Sequence, residues 1–173
     1  MTELLEILKY TLPAIVVFFT AFFILRSLLK NDDTRRKHEM ALKNQDIITP
    51  IRLQAYERMV LLLERISPDS LVIRLNRKGM KNKELQGEIL AVIRAEFEHN
   101  LSQQLYLSNQ SWELIKSARE NLIKIINSAA QNLDPNGPSF ELSKVLLEKI
   151  MEMEKSPTMV ALEFIKKEMQ QLF

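Results

Sequence analysis

The 173 residues carry 24 Lys and Arg against 22 Asp and Glu, with two His, no Cys and only three Gly. The length fits one domain, or one domain with an appendage, and 46% apolar with 27% charged residues excludes a largely disordered chain. Absent Cys removes disulfides, thiolate metal sites, iron–sulfur clusters and Cys nucleophiles, and so few Gly leave no Gly-rich phosphate cradle, so composition argues against an enzyme and for no cofactor.

The first element is apolar. Tyr10 to Leu25 reads YTLPAIVVFFTAFFIL, sixteen residues without a charge, about 24 Å of helix against a hydrocarbon core of about 30 Å. Leu4, Leu5, Ile7 and Leu8 extend it on one side and Leu28 and Leu29 on the other, while Lys9 and Arg26 interrupt it with long cationic chains that reach an interface. Glu3 and Glu6 precede the run and no small-residue cleavage motif follows it, which argues for an uncleaved anchor over a signal peptide. Residues 1–30 are therefore expected to form a transmembrane helix that meets the lipid bilayer through residues 4–29. Arg26, Lys30, Arg35, Arg36 and Lys37 follow the run and only Lys9 precedes it. The positive-inside rule then places the N-terminus outside and the C-terminal part in the cytoplasm, in a single-pass inner-membrane or plasma-membrane protein.

Residues 31–48 are polar and weakly periodic, either a continuation of the membrane helix or a neck. From residue 49 onward the pattern is helical. Thr49-Pro50, Ser67-Pro68 and Ser156-Pro157 each set a hydroxyl N-cap before a proline, and Asn136-Gly137-Pro138-Ser139 reads as a turn followed by another Ser cap. Apolar residues step by three or four through Leu53, Tyr56, Met59, Val60, Leu63 and Ile66. A longer face runs from Leu85 through Ile89, Ile93 and Phe97 to Leu101 and Leu105. Further stripes run from Ile115 to Ala129, Leu142 to Met153 and Val160 to Leu172. The β-branched piece Leu71–Leu75 has no partner strand and is assigned to a short helix. The predicted fold is all-α: one N-terminal transmembrane helix, then a cytoplasmic multi-helix bundle over 49–173.

Charge is uneven. Residues 34–83 carry a net +7 and residues 84–173 a net −4. The densest basic point is Arg74, Arg77, Lys78, Lys81 and Lys83, with no acid between Leu71 and Lys83. This is a solvated turn around Gly79 or a contact for anionic lipid headgroups, which attract basic residues by about 1 kcal/mol each, or for an acidic protein partner. No aromatic residue lies between Tyr56 and Phe97 to stack on bases, which argues against nucleic acid.

Candidate chemistry is sparse. Glu96-x-x-His99 puts two metal-ligand types on one helix face, but the second His, His38, has no matching glutamate, so no metal centre is expected. Trp112 is a core residue or a docking residue, since Trp is enriched in interface hot spots. Met151, Met153 and Met159 cluster late in the chain, where flexible thioethers suit either a core or an adaptable docking groove between the last two helices.

The stretches TPIRLQAYERM (49–59) and LLLERISP (61–68) resemble an uncharacterised family of bacterial single-span membrane proteins with a helical cytoplasmic domain. The resemblance covers the anchor and the first cytoplasmic helix and implies no activity. In that helix Glu57 and Arg58 are the charged residues expected to contribute to a partly buried ion network. Together these features predict a membrane-anchored adaptor or structural subunit that holds a protein partner at the inner membrane face. A basic-region tether to nucleic acid or the ribosome, and a membrane-bound enzyme without a recognisable site, are the alternatives.

Overall fold

A computed structural model describes the backbone of residues 2–172 and the side chains of residues 15–27, 35, 36, 39, 40 and 42–171. The described residues form six α-helices and one 3-10 turn, with no strand: α1 (Thr2–Arg65), α2 (Pro68–Leu75), α3 (Asn82–His99), the 3-10 turn (Leu101–Leu105), α4 (Asn109–Ala130), α5 (Ser139–Met151) and α6 (Pro157–Leu172). The chain divides into two compact units, Met1–Thr49 and Pro50–Phe173.

From Thr2 onward the first unit is helical, so residues 31–48 continue α1. From Ile15 to Leu25, nine large apolar side chains are 48–66% exposed. Thr20 folds its hydroxyl back, donating to the carbonyls of Val16 (2.8 Å) and Val17 (2.9 Å). Among the described residues no helix is long and apolar enough to cross a membrane. The rest of the expected anchor, the side chains of 1–14 and 28–30, lies outside the described residues.

The second unit is a helical bundle around one apolar core. The last turns of α1 bury Ala55, Tyr56, Met59, Leu62 and Leu63, and α3 buries Leu85, Ile89, Ile93 and Phe97 in steps of four. Helix α4 buries Ile115, Ala118, Leu122, Ile126 and Ala129, α5 buries Leu142 and Leu146, and α6 buries Ala161 and Ile165. Full burial of each large side chain contributes about 1.5–3 kcal/mol. Helix α4 pairs with α6, α5 and α3, and α5 also packs against α3 and α2.

Several local expectations are corrected. Thr49-Pro50 begins no helix, because α1 runs through it to Arg65; proline costs such a helix one N–H donor, and here the helix tolerates the loss at the border of the two units. Leu53 points outward, and the inward face is shifted to Ala55 and Leu62. The long face from Leu85 ends at His99, so Leu101 and Leu105 belong to the 3-10 turn and are exposed. Ser139 is the first residue of α5 rather than its cap, a role that falls to Pro138. Glu57 and Arg58 are exposed and enter no buried ion network. Arg65 of the same helix instead pairs with the half-buried Glu96 of α3 at 2.7 Å. Ser108 caps α4 by accepting the Ser111 N–H at 3.0 Å, and Ser156 accepts the Met159 N–H at 3.2 Å. Ser67 holds the cap position of α2 but donates backward to the Glu64 carbonyl, closing the end of α1.

Candidate functional site: a basic double loop

The loop between α2 and α3 (residues 76–81) contains most of the basic stretch. Its turn is closed by the Met80 N–H donating to the Arg77 carbonyl at 3.1 Å, with Gly79 at φ +82. A third turn position in the left-handed region is what a type II turn requires, and glycine occupies it without strain. The loop between α4 and α5 lies against it. Lys81 and Pro138 form an antiparallel bridge: the Ser139 N–H donates to the Met80 carbonyl (2.9 Å) and the Asn82 N–H to the Gly137 carbonyl (2.9 Å). The Lys83 N–H reaches the Pro135 carbonyl at 3.1 Å.

Two asparagines fasten these loops. Asn82, buried at the start of α3, donates to the Asp134 carbonyl (2.9 Å) and to Glu141 (3.2 Å), and accepts the Leu142 N–H (3.2 Å). Asn76 donates to Ser143 (2.9 Å) and accepts from Ser139 (2.6 Å). Gly137 fits beneath the Asn82 side chain, where an added Cβ would lie 2.9 Å from the Glu141 carboxylate and 3.0 Å from the Asn82 amide.

Between the loops is an open cleft of about 610 Å³ whose walls include Arg77, Lys78, Lys81, Pro138 and Phe140. Phe140 is 61% exposed. The local acids are engaged in the fold: Glu88 pairs with Arg77 at 2.7 Å, Glu84 accepts the Lys81 backbone N–H at 3.0 Å, and Glu141 holds Asn82. Among the described residues the ammonium groups of Lys78, Lys81 and Lys83 have no ion-pair partner, while Arg74 donates to the Arg65 carbonyl at 2.9 Å. Three members of the basic stretch, Arg77, Lys78 and Lys81, thus share one cleft. Arg74 belongs to α2 and Lys83 to the first turn of α3.

A family model described as a family of unknown function (DUF7935) matches residues 2–172. The chain belongs to that family. The match extends well past the segment on which the sequence resemblance rests, and it brings no activity with it. Neither a curated protein nor a solved structure matches the chain.

The remaining candidates are placed separately. Met151 and Met159 line an apolar groove of about 520 Å³ with Leu63, Pro68, Ile150 and Leu162, rimmed by Glu64 and Asp69. Met151 is 84% exposed. Met153 and Trp112 are not among the groove's lining residues. Trp112 is half-buried and stacks on Phe97, with ring centroids 5.3 Å apart, and the Arg119 guanidinium sits 4.0 Å from the Phe97 ring centre. Sequence reasoning missed Tyr56 as a polar feature. Its hydroxyl is fully buried near Arg52 and Glu168 but lacks a hydrogen-bond partner, and burial first, then the Glu168 charge, push its pKa above the usual tyrosine value. Ser111 donates to the same Glu168 carboxylate.

Proposed function

We propose that this chain is a membrane-anchored adaptor, held in the bilayer by the apolar part of α1 and binding a protein partner through its Pro50–Phe173 unit on the cytoplasmic side. The observation that carries this reading is the outward exposure of apolar side chains along successive positions from Ile15 to Leu25. Such a helix has no aqueous face and needs either protein or lipid around it. Its one hydroxyl in that run, Thr20, is satisfied by its own helix, as a polar group in hydrocarbon must be. The excess of Lys and Arg after the run supports the N-out, C-in orientation in an inner or plasma membrane. The groove of Met151 and Met159 supports the partner-binding half of the reading, because flexible thioethers at an exposed apolar surface adapt to a docked side chain.

The chain has no cysteine, so a single Ser102→Cys change gives a clean probe on an exposed turn. In intact cells that thiol is expected to resist an impermeant reagent and to react after lysis, while the chain stays in the membrane pellet through alkaline extraction. Labelling in intact cells, or release by alkali, refutes the reading. A photo-crosslinking residue in place of Met151 is expected to give one discrete protein adduct that the same residue at Glu120 does not give.

A further inference from the structure

Phe140 lies in the first turn of α5, Lys78 and Lys81 in the loop between α2 and α3, and Lys83 in the first turn of α3; the Lys81–Pro138 bridge helps bring Phe140 into one cleft with Lys78 and Lys81. We propose that this double loop is a second membrane contact, specific for anionic phospholipid: Lys78, Lys81 and Lys83 engage headgroup phosphates while Phe140 inserts among the acyl chains beside them. The inference rests on the membrane-anchored reading above and adds which lipid the folded unit selects.

Three features point to a lipid surface. Glu88, Glu84 and Glu141 each hold another contact, and among the described residues Lys78, Lys81 and Lys83 form no ion pair, which leaves the cations open to an outside anion. An aromatic ring exposed in the first turn of α5, beside cations of the facing loop, matches the interfacial layer, where apolar ring and charged heads are solvated by different depths of the same medium. A single apolar anchor gains from a second, electrostatic signal on the same chain, because tethering raises the effective concentration of the second contact. Nucleic acid shares the phosphate chemistry, but it needs a row of stacking rings along a groove, and the cleft offers one.

The test uses the full chain with a fluorophore on Asn136→Cys, an exposed position in the cleft wall. The chain is reconstituted into lipid nanodiscs of phosphatidylcholine alone or with added phosphatidylglycerol, some of the lipid carrying a nitroxide quencher. Quenching is expected with the anionic lipid only, and it should fade as salt is raised. Each of Lys78→Gln, Lys81→Gln and Lys83→Gln should weaken the contact roughly fivefold, and Phe140→Ala should move the label away from acyl-chain quenchers without loss of helical circular dichroism. Equal quenching in neutral lipid, or indifference to all four variants, overturns the proposal. So does a single-stranded oligonucleotide that displaces the label from anionic discs and binds the chain in their absence. A chain that fails to enter the discs refutes the anchor and this inference together, whereas a chain that enters with its label unquenched refutes this inference alone.

Discussion

Gly137 and Gly79 require glycine for different reasons, and substitution should separate them. At Gly137 the obstacle is space: a Cβ meets the Glu141 carboxylate, the Asn82 amide and, at 3.1 Å, the Asp134 carbonyl. Gly137→Ala must push the loop pair apart and is expected to cost about 1–3 kcal/mol in a denaturant melt. At Gly79 nothing lies within 4 Å of a Cβ, and only the positive φ resists. Gly79→Ala is expected to cost about 1 kcal/mol and to leave the cleft's lysines in place. Tyr56 provides a pH-dependent case. Its folded pKa is raised, by burial first and by the Glu168 charge second, so above the ordinary value of about 10 the unfolded chain releases its proton before the folded one does. Stability that is complete at neutral pH therefore falls as pH climbs from about 10 through the folded value. Tyr56→Phe should abolish that alkaline loss in thermal melts.

Among the elements, the joint between α3 and α5 depends on Asn82. Asn82→Ala removes two donated bonds and leaves the buried Leu142 N–H without its acceptor. A loss of about 2–4 kcal/mol is expected from chemical denaturation, with faster amide exchange at Leu142 as the local readout. These elements differ in how far local pattern reveals them. The α4 stripe from Ile115 to Ala129 and its Ser108 cap are legible because both are governed within one helix, by period and by a three-residue hydrogen bond. The short helix at Leu71–Leu75 is legible by elimination, since a lone strand has nothing to pair with. Pro50 misleads because proline's local penalty says where a helix is weakened, not whether its flanks are strong enough to continue, and α1 does continue. The end of α3 at His99 is hidden by Leu101 and Leu105, which keep the helical spacing although the 3-10 turn exposes them. Within the candidate site the lysines stand out as a charge run. Phe140, Asn76 and Asn82 do not, because their significance comes from pairings across 52 to 67 residues of chain. The Asn-Gly-Pro-Ser turn is visible in sequence, but nothing local says which loop it meets.

For the whole molecule, the second unit draws part of its core from the last turns of α1. Tyr56, Met59, Leu62 and Leu63 are each almost wholly buried, so a fragment of residues 50–173 is expected to melt cooperatively with high helical circular dichroism. A fragment of 67–173 lacks those side chains along with Ile66 and should lose about 7–15 kcal/mol, as much as the roughly 5–15 kcal/mol that a domain of this size has to spare. It is expected to show a non-cooperative melt. Equal cooperativity in the two fragments would mean that the α1 turns are dispensable to the core.

That same sharing has a consequence for biosynthesis. The carboxylate that faces Tyr56 and takes the Ser111 hydroxyl is Glu168, and Ala161 and Ile165 of the same helix complete the core. Helix α6 leaves the ribosome after α1 to α5, so the bundle cannot close around α1 until it emerges, and contacts of such sequence separation form slowly. The apolar part of α1 has by then been exposed while α2 to α5 were made. On the anchored reading proposed above, a nascent chain arrested before Pro157 should be committed to the insertion machinery while its bundle is still open to protease, and lengthening the tether past α6 should close the bundle without altering that commitment.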